Sequence, residues 1–143
     1  MIGRMKKKIQ LSNKGGYTSL LNNERTTLIA DEPERLGGKD FGFSPDELVL
    51  AGLAACKAAT LRGYALKQGY ALEDVNVEVN FEVGKGEARS LSTSIEVKVE
   101  LIGKLSEEEK KALLTKADTC FVHRMLQGNF EIGEAVESLQ CVA

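Results

Sequence analysis

Residues 44–68 read as one long helix that is apolar nearly all round. Its middle, Leu48-Val-Leu-Ala-Gly-Leu-Ala-Ala-Cys56-Lys-Ala-Ala-Thr60, is rich in small side chains: Ala51, Gly52, Ala54, Ala55, Ala58 and Ala59. A helix that is apolar on every side must be buried on every side. Small side chains also let another backbone come close. A chain of 143 residues has little else with which to enclose such a helix. The pattern therefore points to a second subunit. Both ends of the helix are marked. Ser44 can N-cap it, Pro45 suits the first helical position, and Asp46 and Glu47 put carboxylates in the first turn. Ser44 and Glu47 have capping-box spacing. Gly69 is the stop signal.

Around this helix the chain alternates. Lys7–Leu11, Thr18–Leu21 and Thr26–Ala30 read as strands, with a turn at Asn13-Lys-Gly-Gly16. Asp31–Phe43 carries Pro33, Gly37, Gly38 and Gly42 and reads as a long loop, a length that often serves function. After the helix, Val75–Val83 and Ser94–Leu101 alternate with strict period two, with Gly84-Lys-Gly-Glu-Ala-Arg89 as the turn between them. That is an antiparallel hairpin with one wet face. Ser106-Glu-Glu-Glu109 starts a second helix, to about Thr119. Cys120–Leu126 is a short helical piece ending at Gly128. Phe130–Ile132 and Ala135–Val142 read as closing strands. No repeat or linker divides the chain, so residues 1–143 read as a single α+β domain.

Composition excludes several classes. Net charge is −2, with acidic and basic residues nearly balanced, which argues against a nucleic-acid partner. Lys57, Arg62 and Lys67 break the longest apolar stretch, so no membrane span is expected. The basic patch Arg4-Met-Lys-Lys-Lys8 has no apolar run behind it and is not a secretory signal. Three cysteines, an odd number without such a signal, fit a reducing compartment, and the chain is read as cytoplasmic. His123 is the sole histidine, which excludes chemistry needing several imidazoles from one chain.

The residues that could carry chemistry are thiols. Cys56 sits mid-helix, either as a small buried hydrophobe or as a nucleophile that a nearby cation must activate. Cys120 opens a short helix, where free N–H groups favour an anion, or it too is a core residue. Cys120 and His123 have Cys-x-x-His spacing, a weak zinc signal with too few partners. Cys141 reads as a tail residue. Asp46 and Glu47 read first as capping residues, although a carboxylate beside a glycine-rich loop can also orient an arginine. Arg25 and Arg35 flank that loop.

Three stretches together carry a resemblance: Leu36-Gly-Gly38, then Ser44-Pro-Asp-Glu-Leu48 through Ala51-Gly-Leu-Ala-Ala-Cys56, and Cys120-Phe-Val-His-Arg-Met-Leu-Gln-Gly-Asn129. In order and spacing the chain resembles the OsmC/Ohr family of osmotically inducible and organic hydroperoxide resistance proteins. The resemblance implies an α+β fold in which antiparallel sheets wrap long central cysteine-bearing helices, assembled as an intertwined homodimer. It implies a thiol peroxidase for organic hydroperoxides, recycled by an external dithiol and needing no cofactor or metal. Carried over residue by residue, Cys56 is peroxidatic, Cys120 is resolving, and Asp46 orients an arginine. Three positions depart from the family pattern. Phe121 stands where proline is usual, and Asp46 where glutamate is usual. Gly15 stands where an ungapped match puts the catalytic arginine: either Arg25 or Arg35 substitutes from the loop, or the fold is retained in a dimer with weak or no peroxidase activity, a redox sensor or small hydrophobic-ligand binder.

Overall fold

The computed structural model describes residues 3–138. Three short strands come first: β1 (Gln10–Asn13), β2 (Ser19–Asn22) and β3 (Thr27–Ala30), antiparallel in the order β1-β2-β3. β1 starts three residues later than its sequence pattern implied and ends two later. Gly15 and Gly16 take positive φ in the β1–β2 turn, which the Asn13 side chain closes by donating to the Gly16 carbonyl.

The loop from residue 31 to 43 contains one 3-10 turn, Glu34–Leu36, and is organised around Asp31. Thr18 Oγ1 donates to Asp31 Oδ2 at 2.8 Å, the Glu32 N–H to Oδ1 at 2.8 Å, and the Phe41 N–H to Oδ2 at 3.3 Å. Burial alone would push this carboxyl up; the hydrogen bonds outweigh it and hold Asp31 below the usual carboxylate range. The loop packs so tightly that a Cβ on Gly38 would strike the Glu32 carbonyl.

Helix α1 (Pro45–Gln68) follows, with Glu47 accepting from the Ser44 N–H and Gly69 closing the far end at φ 73°. Its length is as the sequence implied, but its burial is not. Leu50, Leu53, Lys57, Leu61 and Ala65 form one buried stripe, three to four residues apart. The opposite face is open in one chain: Gly52, Ala55 and Ala59 are exposed, as are Val49 (52% exposed) and Leu66 (85%). The chain's own hairpin and helices reach only one side of the rod.

That hairpin, β4 (Ala71–Lys85) and β5 (Leu91–Lys104), is antiparallel and longer than the alternating pattern alone. A register shift between Leu72 and Asp74 bends its base. Helices α2 (Glu107–Ala117) and α3 (Phe121–Gln127) complete the chain, α2 with its Ser106–Glu109 capping box. Leu61 and Ala65 of α1 pack on Leu113 and Ala117 of α2, with Tyr64, Tyr70, Val75, Val99 and Leu101 against them. Each leucine buried here contributes about 1.5–3 kcal/mol. Residues 130–138 form no strand, contrary to the expected closing strands: they pair with neither sheet, although both sheets leave outer edges unpaired among the described residues. The remainder of the second expected strand, and Cys141, lie outside the described residues.

Candidate active site

Helix α1 presents Cys56 half-buried at its midpoint, and the turn after α2 delivers Cys120 to it. Cys120 is the N-cap of α3, in extended conformation, and is 1% exposed. Two consecutive backbone amides hold the two sulfurs. The Val122 N–H donates to Cys56 Sγ at 3.4 Å and the His123 N–H to Cys120 Sγ at 3.4 Å. The thiols also face each other. Burial pushes the Cys120 thiol up, as do its hydrogen bond to Cys56 and the neighbouring Cys56 charge. The His123 N–H and the Lys57 ammonium pull the other way. Cys120 is therefore held as a thiol, while Cys56 is the one that solvent can reach.

Lys57 is the residue that sequence reasoning missed. In the sequence it only interrupts an apolar run. In the fold it is 1% exposed, and its Nζ meets the Ala117 carbonyl at 3.1 Å, Asp118 Oδ1 at 3.2 Å and His123 Nδ1 at 3.0 Å. Three N–H groups thus find three partners, which is what a buried ammonium requires. A single charge in the apolar middle of the helix, Leu48–Leu61, directly after a cysteine, was the available signal.

Asp46 lies at the start of α1, ten residues and hence about 15 Å along the helix axis from Cys56. Ser44 Oγ donates to Asp46 Oδ1 at 2.7 Å. That bond first, with backbone N–H groups and the Arg35 guanidinium, holds the Asp46 carboxyl below its ordinary range despite some burial. Arg35 is thus the arginine whose field reaches Asp46. Arg25 sits in the β2–β3 turn, where its N–H donates to Asn23 Oδ1 and its side chain borders a surface hollow with Lys6, Lys7 and Lys8. Neither arginine is a hydrogen-bond partner of Cys56 or Cys120 among the described residues. Glu47 is occupied as a cap. His123, weighed as a metal ligand with Cys120, has its Nδ1 on Lys57 instead.

A cavity of about 290 Å³ opens between α1, β5 and α3. Leu53, Thr93, Ile95, Val97, His123, Leu126 and Gln127 line it. Leu53 is one helical turn before Cys56, and His123 follows the amide that holds the Cys56 sulfur. Apolar walls with a few polar groups suit a small organic molecule.

The family model described as OsmC-like protein matches residues 37–134, from the loop before α1 to beyond α3. The chain belongs to the OsmC-like protein family. Solved structures agree in fold. An OsmC-like protein from Mycoplasma pneumoniae superposes with a TM-score of 0.73 at 22% identity, over 87% of this chain and 89% of that one. An organic hydroperoxide resistance protein from Legionella pneumophila gives 0.67 at 22% identity, over 90% and 93%. The organic hydroperoxide resistance protein OhrB of Bacillus subtilis gives 0.63 at 21% identity, over 87% and 93%. No curated protein matches the sequence. Among the described residues of this OsmC-like chain, no helix is long and apolar enough to cross a membrane.

Proposed function

We propose that this OsmC-like protein is a cysteine-based peroxidase that reduces organic hydroperoxides. The observation that carries this reading is the thiol pair: a reachable Cys56 facing a buried Cys120, both sulfurs held by consecutive amides of α3. The Cys56 thiolate attacks the distal oxygen of a hydroperoxide ROOH. The O–O bond breaks, the alkoxide takes a proton and leaves as ROH, and Cys56 becomes a sulfenic acid. The Cys120 thiol then displaces hydroxide, which leaves as water with the Cys120 proton, and the Cys56–Cys120 disulfide forms. An external dithiol reduces it to two thiols and is itself oxidised to a disulfide. Several structures of the same fold are named as organic hydroperoxide resistance proteins, which agrees with this reading. No cofactor enters the scheme.

The working unit is a homodimer. The chain exposes 11797 Å², against about 7,300 Å² for a compact monomer of its mass. The excess includes the smooth open face of α1 and large apolar side chains such as Ile9, Phe41 and Ile132. A second copy lying on that face would also supply what one chain lacks. Asp46, with Arg35 beside it, is too far along α1 to serve its own Cys56, but two helices crossing near Gly52 bring each Asp46 towards the other's thiol. Arg25 is the other candidate for that cation.

The deciding experiment is cumene hydroperoxide consumption by the native protein and Cys56→Ser, with a monothiol or a lipoyl-type dithiol as reductant. Turnover that needs Cys56 and prefers the dithiol supports the reading. A second reading, a redox sensor or binder of small hydrophobic ligands with little turnover, is favoured because, among the described residues, no arginine side chain hydrogen-bonds either sulfur. Stoichiometric oxidation of Cys56 without recycling would establish it.

A further inference from the structure

Lys57 belongs to no part of the mechanism above, yet it is the most deeply buried charge described in the chain. Its side chain leaves α1 one residue after Cys56 and bridges to the junction between α2 and α3. The three groups it binds lie 60, 61 and 66 positions away in sequence. Two of them, the Ala117 carbonyl and Asp118, end α2. The third, His123, stands in the first turn of α3, next to the Val122 amide that holds the Cys56 sulfur. Its own amide holds the Cys120 sulfur.

The chemistry of the contacts fixes protons as well as positions. An ammonium only donates, so His123 Nδ1 must be the acceptor and the ring hydrogen must sit on Nε2. The imidazole that borders the cavity between α1, β5 and α3 is then a ring whose remaining polar group is an N–H donor.

We propose that Lys57 is a positioning residue for the thiol pair: it pins the first turn of α3 onto α1, so that the Val122 and His123 amides meet Cys56 and Cys120, and it holds His123 as the Nε2–H tautomer. This rests on the thiol-peroxidase reading for its purpose but not for its test. The positive field of Lys57 at Cys120 acts in the same sense, opposing the effect of burial on that thiol. Asp118, largely exposed, is the carboxylate that faces the ammonium.

Because His123 is the chain's sole histidine, its ring nitrogens can be read directly by long-range proton–nitrogen correlation in the uniformly labelled protein. The native protein should show the Nε2–H tautomer near pH 8. A ring with its hydrogen on Nδ1, or a mixture of tautomers, overturns the proposal without any variant. The second measurement is the Cys56–Cys120 disulfide equilibrium in a glutathione redox buffer, which uses no peroxide. Lys57→Met should mix the tautomers and weaken disulfide formation by roughly tenfold or more, the worth of hydrogen bonds to a charged group. Lys57→Gln, whose amide can still donate to Nδ1, should fall between Met and native. A folded Lys57→Met with unchanged tautomer and equilibrium also overturns it. If both hold while the native protein turns over no peroxide, only the peroxidase reading fails.

Discussion

Val122 donates its backbone N–H to the sulfur of Cys56 at 3.4 Å, across 66 positions of sequence. The next amide, His123, does the same for Cys120. One turn of backbone therefore sees both sulfurs, while burial sets them apart: one thiol is partly open to solvent, the other kept protonated by burial.

Cys56→Ser should abolish organic hydroperoxide reduction, and Cys120→Ser should allow about one turnover before stalling. In the latter protein excess peroxide should drive Cys56 beyond sulfenic acid. Intact-mass spectrometry after peroxide pulses reads both outcomes. Sustained dithiol-fed turnover in Cys120→Ser would remove Cys120 from the cycle.

Gly52 tests the dimer. Within one chain a Cβ at this position meets nothing within 4 Å, so a larger residue should raise helix stability by up to about 1 kcal/mol if the face stays open. Gly52→Leu is expected instead to dissociate the protein at micromolar concentration, with large loss of stability. Sedimentation velocity on both proteins decides, and an unperturbed dimer would mean that α1 packs elsewhere.

Phe121 departs from the family's proline at the first position of α3. Cys120 already has φ −62° and ψ 150°, which suits a residue preceding proline. Phe121→Pro should therefore shift stability by no more than about 1 kcal/mol and leave Cys56–Cys120 disulfide formation unchanged. Urea midpoints and oxidation rates check this. Loss of the disulfide would show that Phe121 packing, not backbone shape, seats the thiols.

Asp31 gives a pH dependence with a definite sign. Its folded carboxyl is held below the ordinary 3.8. Its contribution is therefore fully present above the unfolded value and is lost as pH falls through the lower folded value. Asp31→Asn should be less stable at neutral pH and should show a flatter decline below pH ~4. Thermal melts from pH 7 downwards measure the difference, and parallel curves would contradict it.

Much of this architecture was legible because it is local. Ser44, Pro45, Glu47 and Gly69 bound α1 by groups within one turn of each end, and the alternation in Val75–Val83 and Ser94–Leu101 needs only the period of a strand. The candidate thiols were legible as positions, Cys56 mid-helix and Cys120 at a helix start. What failed depends on distant partners. Nothing around Lys57 in sequence announces Ala117, Asp118 and His123. The tail at Phe130–Ile132 has strand-forming residues, but a strand also needs a partner along a sheet edge, which residues near it in sequence do not announce. The apolar circumference of α1 was legible as residues, yet the burial expected on all sides is found on only one face of it within this chain.

The ten residues that separate Asp46 from Cys56 along α1 have a genetic consequence. If each reaction centre takes its thiol from one chain and its carboxylate from the other, damage to the two groups is not equivalent within a mixed pair. Chains carrying Cys56→Ser and chains carrying Asp46→Ala, each inactive alone, should regain partial activity after being unfolded and refolded together, because each hybrid keeps one undamaged centre. Were Asp46 to serve its own Cys56, a hybrid would keep none.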